Sequence, residues 1–247
     1  MVSTELYRDL LGFKIPILWV GDHGQLEPVG DNPGLMDNPH LRLEKIHRQA
    51  EGNPIIWLSR EIRLNQQLPQ PDASLEGMPS NYAKNISYQQ TMGDTVVATL
   101  DEDPSSLDSQ VIVETNSNRT IINREVRDAL SYTPDLPVKG DKIICLRNNR
   151  NFGIFNGLMG VIVSAPIRLG GTVTCDVQLE DGTLREGLPI SLNCFNVPKP
   201  AADLMNDPEV AYFDYGYAVT CHKAQGSQWK TVAVIGNPTH SRMPWDP

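Results

Sequence analysis

The sequence predicts an α/β fold, a parallel sheet with helices on it, into which a small antiparallel β-barrel is inserted. Three features predict it. Ile15-Pro16-Ile17-Leu18-Trp19-Val20, Gln110-Val111-Ile112-Val113-Glu114 and Thr231-Val232-Ala233-Val234-Ile235 are short, nearly unbroken apolar runs, the pattern of buried parallel strands. The first two stop at turn residues, Gly21-Asp22 and Thr115-Asn116-Ser117-Asn118-Arg119, and in open α/β sheets ligands sit beyond such strand ends. From Gly140 onward the texture changes to short strands with turn residues roughly every eight to twelve positions, including Asn156-Gly157 and Glu180-Asp181-Gly182.

Taken in order, Leu6 to Phe13 reads as the end of a helix ahead of the Ile15–Val20 strand. Asn53-Pro54 opens a second helix, with Asn as N-cap, Pro in the first turn and Ile55, Ile56, Leu58 and Ile62 on one face. Gln66 to Asn81 is rich in Pro, Gln, Asp, Ser and Gly and reads as a surface loop. Thr120 to Leu130 is an amphipathic helix with Ile121, Ile122, Val126 and Leu130 inward. Gly170-Gly171 reads as a hairpin within the barrel. A Pro-rich connector follows Cys194-Phe195-Asn196, and Tyr212, Phe213, Tyr215 and Tyr217 either stack bases or belong to the core.

At 247 residues the chain has room for one large or two modest domains. With 40% hydrophobic and 21% charged residues it has the composition of an ordinary globular protein. No apolar stretch approaches the ~20 residues of a membrane span, and Met1-Val2-Ser3-Thr4-Glu5 has no signal-peptide character, so a cytoplasmic location without membrane partners is expected. Cys145, Cys175, Cys194 and Cys221 lie far apart with no C-x-x-C pair, which predicts reduced, partly buried thiols and neither a zinc site nor a disulfide framework. A net charge of −9 argues against coating nucleic acid by bulk electrostatics, but leaves room for a narrow track of stacking and hydrogen bonds.

The most informative run is Tyr217-Ala218-Val219-Thr220-Cys221-His222-Lys223-Ala224-Gln225-Gly226-Ser227. Small residues permit close packing, Thr220, His222, Lys223 and Gln225 offer donors, and Gly226 can take a backbone shape closed to other residues, which together suit a polyanion. This run resembles motif V of superfamily 1 helicases of the RecD-like and Dda-like branch, T-x-H-K-x-Q-G-S. Gly21-Asp22-His23-Gly24-Gln25-Leu26-Glu27-Pro28-Val29 resembles motif III, Leu43 to Gln49 resembles motif IV, and the strand–turn–helix from Gln110 resembles motif IVa. The wording from Gly140-Asp141-Lys142 to Phe155-Asn156-Gly157-x-x-Gly160 resembles the SH3-like insertion called domain 2B.

That resemblance implies a RecA-like P-loop NTPase motor domain with an inserted SH3-like β-barrel. Residues 1–44 would be the tail of motor domain 1A, 45–138 and 197–247 motor domain 2A, and 139–196 domain 2B. It implies catalytic roles for Gln25, which senses the γ-phosphate, and for Arg48, an arginine finger. Gly21, Asp22, Gln25, Arg48, Gly226 and Gln228 would face the nucleotide, Gln228 standing where many relatives carry Glu. Thr115, Asn116, Arg119, Asn123, Thr220, His222 and Lys223 would face single-stranded DNA, Thr115, Asn116, Arg119 and Asn123 being read equally as a cap and surface helix. Arg147, Asn149 and Arg150 line a channel exit or a solvated rim.

Cofactors implied are ATP and Mg²⁺ in the full-length enzyme, with no tight binding by this stretch alone. Partners are single-stranded DNA, the rest of motor domain 1A, and replication or recombination proteins. An ATP-driven motor also needs a Gly-rich loop ending in Gly-Lys-Ser/Thr, and none occurs here. The family's Asp-Glu pair is expected just ahead of Met1-Val2-Ser3, and motif VI after residue 247. The expectation is therefore part of an ATP-dependent, 5′→3′ translocating DNA helicase, inactive by itself as an ATPase. Two alternatives stay open: a non-catalytic remnant that binds single strands or a partner, and the motor subunit of a helicase–nuclease complex.

Overall fold

The computed structural model describes residues 2–22, 31–42, 105–132, 136–201 and 205–235. They fall into two compact units, one holding residues 2–22 and 31–42, the other residues 105–235.

In the first unit, helix α1 spans Thr4–Gly12 and is capped by Ser3, whose hydroxyl accepts from Leu6 N at 3.3 Å. Tyr7 stacks obliquely on Trp19, ring centroids 5.5 Å apart. The apolar run after α1 is not the buried strand expected of it: Ile15–Val20 is irregular, and Leu18 and Val20 are 87% and 88% exposed. A parallel strand needs a neighbour for its N–H and C=O groups, and no described strand pairs with this run. The helix expected from Asn53 and the loop from Gln66 to Asn81 lie outside the described residues.

The second unit holds two sheets. The parallel one comprises β1 (Ser109–Val113), β8 (Ala218–Thr220) and β9 (Thr231–Ile235), in the order β8-β1-β9. Helix α2 (Asn116–Ala129) packs on one face, with Ile122 and Val126 set against Val111, Val113 and Ala218. Full burial of each such side chain contributes about 1.5–3 kcal/mol. Ile121, expected inward, is 46% exposed, because the buried face runs through Arg119, Ile122, Asn123, Val126 and Arg127. On the other face Val232 and Val234 of β9 stay exposed, Val234 at 73%.

The antiparallel sheet comprises β2 (Lys142–Cys145), β3 (Met159–Ile162), β4 (Ile167–Leu169), β5 (Thr172–Leu179), β6 (Leu184–Ser191) and β7 (Phe213–Tyr215). β5 pairs with β6, β3 with β5, β2 with β3 and β7 with β2. Ala211 N donates to Pro189 O at 2.7 Å and Ser191 N donates to Ala211 O at 2.9 Å, so pairing returns from the β7 segment to β6 in a closed circuit. Along β5 the burial alternates strictly, and the inward residues Val173, Cys175, Val177 and Leu179 join Ile143, Ile162, Leu188, Ile190 and Phe213 in one core. The turns sit at the glycines read from the sequence, Gly157, Gly170 and Gly182. This sheet takes a strand, β7, from beyond residue 196.

Between β7 and β8 the chain passes from one sheet to the other in two residues, Gly216 and Tyr217. Gln110 grips this crossing: its Nε2 donates to Gly216 O at 3.1 Å and Tyr217 O at 3.0 Å. A Cβ on Gly216 would lie 2.9 Å from Met159 Cε and 3.0 Å from the Ile143 carbonyl carbon, so the crossing admits only glycine. Tyr212, Phe213, Tyr215 and Tyr217 are all buried, Phe213 in the antiparallel core and Tyr215 and Tyr217 in the core under the parallel sheet, so these three are core residues.

Candidate nucleic-acid interface

β1 and β8 run parallel with Val113 opposite Thr220, so both chains leave the sheet at the same edge. Each exit is built alike. After β1, Thr115 caps α2 by accepting from Asn118 N at 3.1 Å, leaving Thr115 and Asn116 exposed. After β8, Thr220 caps the short helix α3 (Cys221–Ala224) by accepting from Lys223 N at 3.4 Å. That places His222 on the exposed side of the turn and Lys223 half-buried beneath it. Gly226 then takes φ +85°, a conformation open to glycine and strained for other residues, and Ser227 N closes the turn on Ala224 O at 3.1 Å.

A second contribution comes from the antiparallel sheet. The turn Phe155–Leu158 brings Asn156 against α3, where its Oδ1 accepts from Lys223 Nζ. Asn156 N in turn donates to Asn148 Oδ1 at 2.7 Å, and Gly157 N to Cys145 O at 2.8 Å, so the turn is fixed from three sides. Phe155 projects from it, 58% exposed. Burial holds the Lys223 ammonium below the usual lysine range, with Cys145 working against that shift and Arg119 adding to it. An ammonium has three donors, and among the described residues only Asn156 takes one of them. The edge therefore presents two Thr-capped helix starts, an imidazole, an ammonium and an exposed ring, the donor and stacking groups that a nucleic-acid strand engages.

Arg119 and Asn123, expected on the strand-facing side, turn inward instead. Arg119 Nη1 donates to Asp214, Nη2 to Val197 O at 2.9 Å, and Nε to Asn116 Oδ1 at 3.2 Å. Asn123, fully buried, donates from Nδ2 to Tyr215 O at 3.0 Å and accepts Ala218 N at 2.8 Å. A guanidinium or amide spent on internal partners has nothing left for a phosphate. Arg119 instead ties Asn116, at the start of α2, to β7, and so positions the edge from behind.

Of the residues read as nucleotide-facing, Gly226 and Gln228 are exposed just past α3 and offer hydrogen-bonding groups without charge. Gly21 and Asp22 belong to the other unit and are exposed there. Gln25 and Arg48 lie outside the described residues. Among the described residues no group of three or more His, Cys, Asp or Glu is placed to hold a metal ion, and no helix is long and apolar enough to cross a membrane.

Sequence reasoning missed Asp214, Asn156 as the partner of Lys223, and Phe155. Asp214 left a signal, a lone acid between aromatic residues in an otherwise apolar segment, which asks for a buried partner. Asn156 and Phe155 left none beyond the hairpin turn itself.

The class is thus an α/β protein with a parallel sheet whose carboxyl edge forms the candidate site. No protein-family model matches the chain. Across 98% of its length it is 26% identical to the ATP-dependent RecD2 DNA helicase of Deinococcus radiodurans, of which it spans 32%. Its likeness is thus to superfamily 1 helicases of the RecD-like kind, and it spans about a third of the relative's length. Among solved structures, a Pif1 helicase from Bacteroides in complex with ADP-AlF3 and ssDNA matches 78% of this chain and 45% of that one, at 16% identity and TM-score 0.41. Bacteroides Pif1 bound to ssDNA matches 77% and 44%, at 15% identity and TM-score 0.41.

Proposed function

We propose that the chain is the strand-gripping portion of an ATP-dependent DNA helicase of the RecD-like kind, acting in the cytoplasm and translocating 5′→3′. Thr115, Asn116, Thr220, His222 and Lys223 contact single-stranded DNA, and the antiparallel strands are an SH3-like domain 2B on the RecA-like motor domain 2A. The observation that carries this reading is the register Val113 opposite Thr220, which puts two Thr-capped exits side by side. Gly21, Asp22, Gln25, Arg48, Gly226 and Gln228 are proposed as nucleotide-facing residues of the whole enzyme. Bound ATP with Mg²⁺ would supply the free energy for stepping. With no Gly-Lys-Ser/Thr in its sequence, the chain by itself does not turn ATP over.

The test is anisotropy of a short labelled oligodeoxythymidine titrated with the chain. Binding is expected, together with a roughly tenfold loss and a shallower salt dependence on Lys223→Gln, which keeps a hydrogen-bond donor for Asn156. A matching loss is expected for His222→Ala. Failure of the chain to bind any single strand, or variants as tight as the parent, would sink the reading. An RNA strand of the same length separates DNA from RNA preference.

A further inference from the structure

We propose that the cavity beside the loop Arg147–Asn151 is a seat for one nucleobase swung out of a bound single strand. The inference rests on the strand-gripping reading for its ligand and on the cavity itself for its chemistry. The cavity measures about 220 Å³ and lies between that loop and the segment Met205–Pro208 with Tyr212. Its lining mixes polar and apolar surface: two guanidinium groups and several Asn amides beside Met205, Pro208 and Tyr212. Guanidinium groups read base edges and their planes stack on bases, so Arg147 and Arg150 are the reading groups, while the Asn149 and Asn151 amides are spent holding the walls. A metal ion finds one lining carboxylate, Asp207, already accepting Glu209 N at 2.9 Å, whereas a nucleobase offers both an apolar face for Met205, Pro208 and Tyr212 and a polar edge for the guanidinium groups.

The seat is built rather than incidental. Asn149, buried, donates to Pro208 O at 2.8 Å and Val210 O at 3.3 Å, and its Oδ1 accepts Asn151 N at 3.0 Å. Arg147 Nη1 donates to Asn206 Oδ1 at 2.7 Å, and Tyr212 Oη accepts Asp207 N at 3.0 Å. Arg150 is exposed, and no side-chain partner fixes it among the described residues, so its plane is available to close on a base. Arg147 and Arg150 balance Asp207 in the wall and Glu209 beside it, whose Oε1 accepts from Asn151 Nδ2 at 3.4 Å, in a chain of net charge −9. The cavity also joins the interface through two hydrogen bonds, Asn148 to the backbone of Asn156 and Asn156 to Lys223.

The experiment follows backbone amide NMR shifts of Asn148–Asn151 and Asp207 in the full 247-residue chain. The probes are the four deoxynucleoside monophosphates and, separately, inorganic phosphate and deoxyribose 5-phosphate. Expected are saturable shifts with the nucleotides that differ among the four bases, and an affinity on the order of tenfold weaker in Arg150→Ala, the loss of one base stack. Arg150→Lys keeps the charge without the plane and is expected to follow Ala. Equal shifts with phosphate or deoxyribose phosphate, no shifts in this loop, or an Arg150→Lys variant as tight as the parent would overturn the base seat. Because mononucleotides are the probes, this result stands apart from whether His222 and Lys223 grip a longer strand.

Discussion

Asp214 shows what a single buried charge does for this molecule. Its carboxylate accepts from Arg119, from Asn196 N at 2.6 Å and from Tyr215 N at 2.7 Å, with no exposure to solvent. Burial pushes its pKa up, and the Arg119 guanidinium and the two N–H groups work against that shift. Charges withdrawn from water gain little net stability from each other, but one left alone is expensive. Asp214→Asn is therefore expected to cost about 3–5 kcal/mol in urea denaturation, because Arg119 keeps its charge without a counterion. Replacing both, as Arg119→Met with Asp214→Leu, removes the unpaired charge but strands the Asn196 and Tyr215 N–H groups, so it is expected to recover only part of that loss while slackening the start of α2 at Asn116. A cost for Asp214→Asn below about 1 kcal/mol would mean that the pair does not hold α2 to β7. Asp141 repeats the design, accepting Arg127 Nε at 2.9 Å, Val138 N at 2.7 Å and Tyr217 Oη at 2.7 Å, with Arg127 also 4.2 Å from the Tyr215 ring centre. Burial and the Asp141 charge hold the Tyr217 hydroxyl far above the usual tyrosine range, so it stays a donor.

At the scale of elements, α2 is the rod to which both sheets are fastened. Arg119, Asn123 and Arg127 lie four apart, one turn each, and reach β7, β8 and the residue ahead of β2 in succession. Helical spacing carried that face in the sequence: Ile122 and Val126 mark the buried stripe, and 119, 123 and 127 flank it. What spacing alone left open was whether polar residues on the stripe meet ligand or protein, since the partners Asp214 and Asp141 are far away in the chain. The body of the helix, β1, β9 and the glycine turns were legible because each is a local pattern, whereas the helix starts at Asn116 under a Thr115 cap, ahead of the Thr120 expected. Ile15–Val20 was misread because an apolar run states that it prefers burial and says nothing of what pairs with it. The crossing at Gly216 was likewise invisible, its requirement set by Met159 and Ile143 from other strands. Gly216→Ala is expected to destabilise by about 1–3 kcal/mol, the usual cost of overpacking against backbone. Its signature is a lower midpoint in thermal melting followed by circular dichroism, with single-strand affinity falling in step. An unchanged midpoint would show that the crossing has slack.

Across the whole molecule, the closed circuit of the antiparallel strands is what keeps the thiols quiet. Cys145, Cys175 and Cys194 are buried in or beside its core, and Cys221, at the start of α3, is the one with partial access. Burial pushes Cys145 and Cys194 up to about 11 and Cys175 to about 12, from an ordinary 9.0. Cys221 is raised too, chiefly by burial, with the Glu114 charge adding to it. A folded pKa above the unfolded one means that the folded chain holds the proton longer. The stabilising contribution is complete below pH 9 and drains away as pH climbs through 9 toward 11–12, where unfolded thiols ionise and folded ones resist. Two measurements follow from this. At pH 8 a chromogenic disulfide reagent is expected to label Cys221 first and slowly, and the other three only when denaturant opens the strands. Between pH 9 and 11 the urea midpoint is expected to fall, and to fall less steeply in Cys175→Ala, which removes the most strongly shifted thiol. Rapid labelling of all four in the native chain, or an identical pH slope in Cys175→Ala, would contradict a sealed antiparallel core.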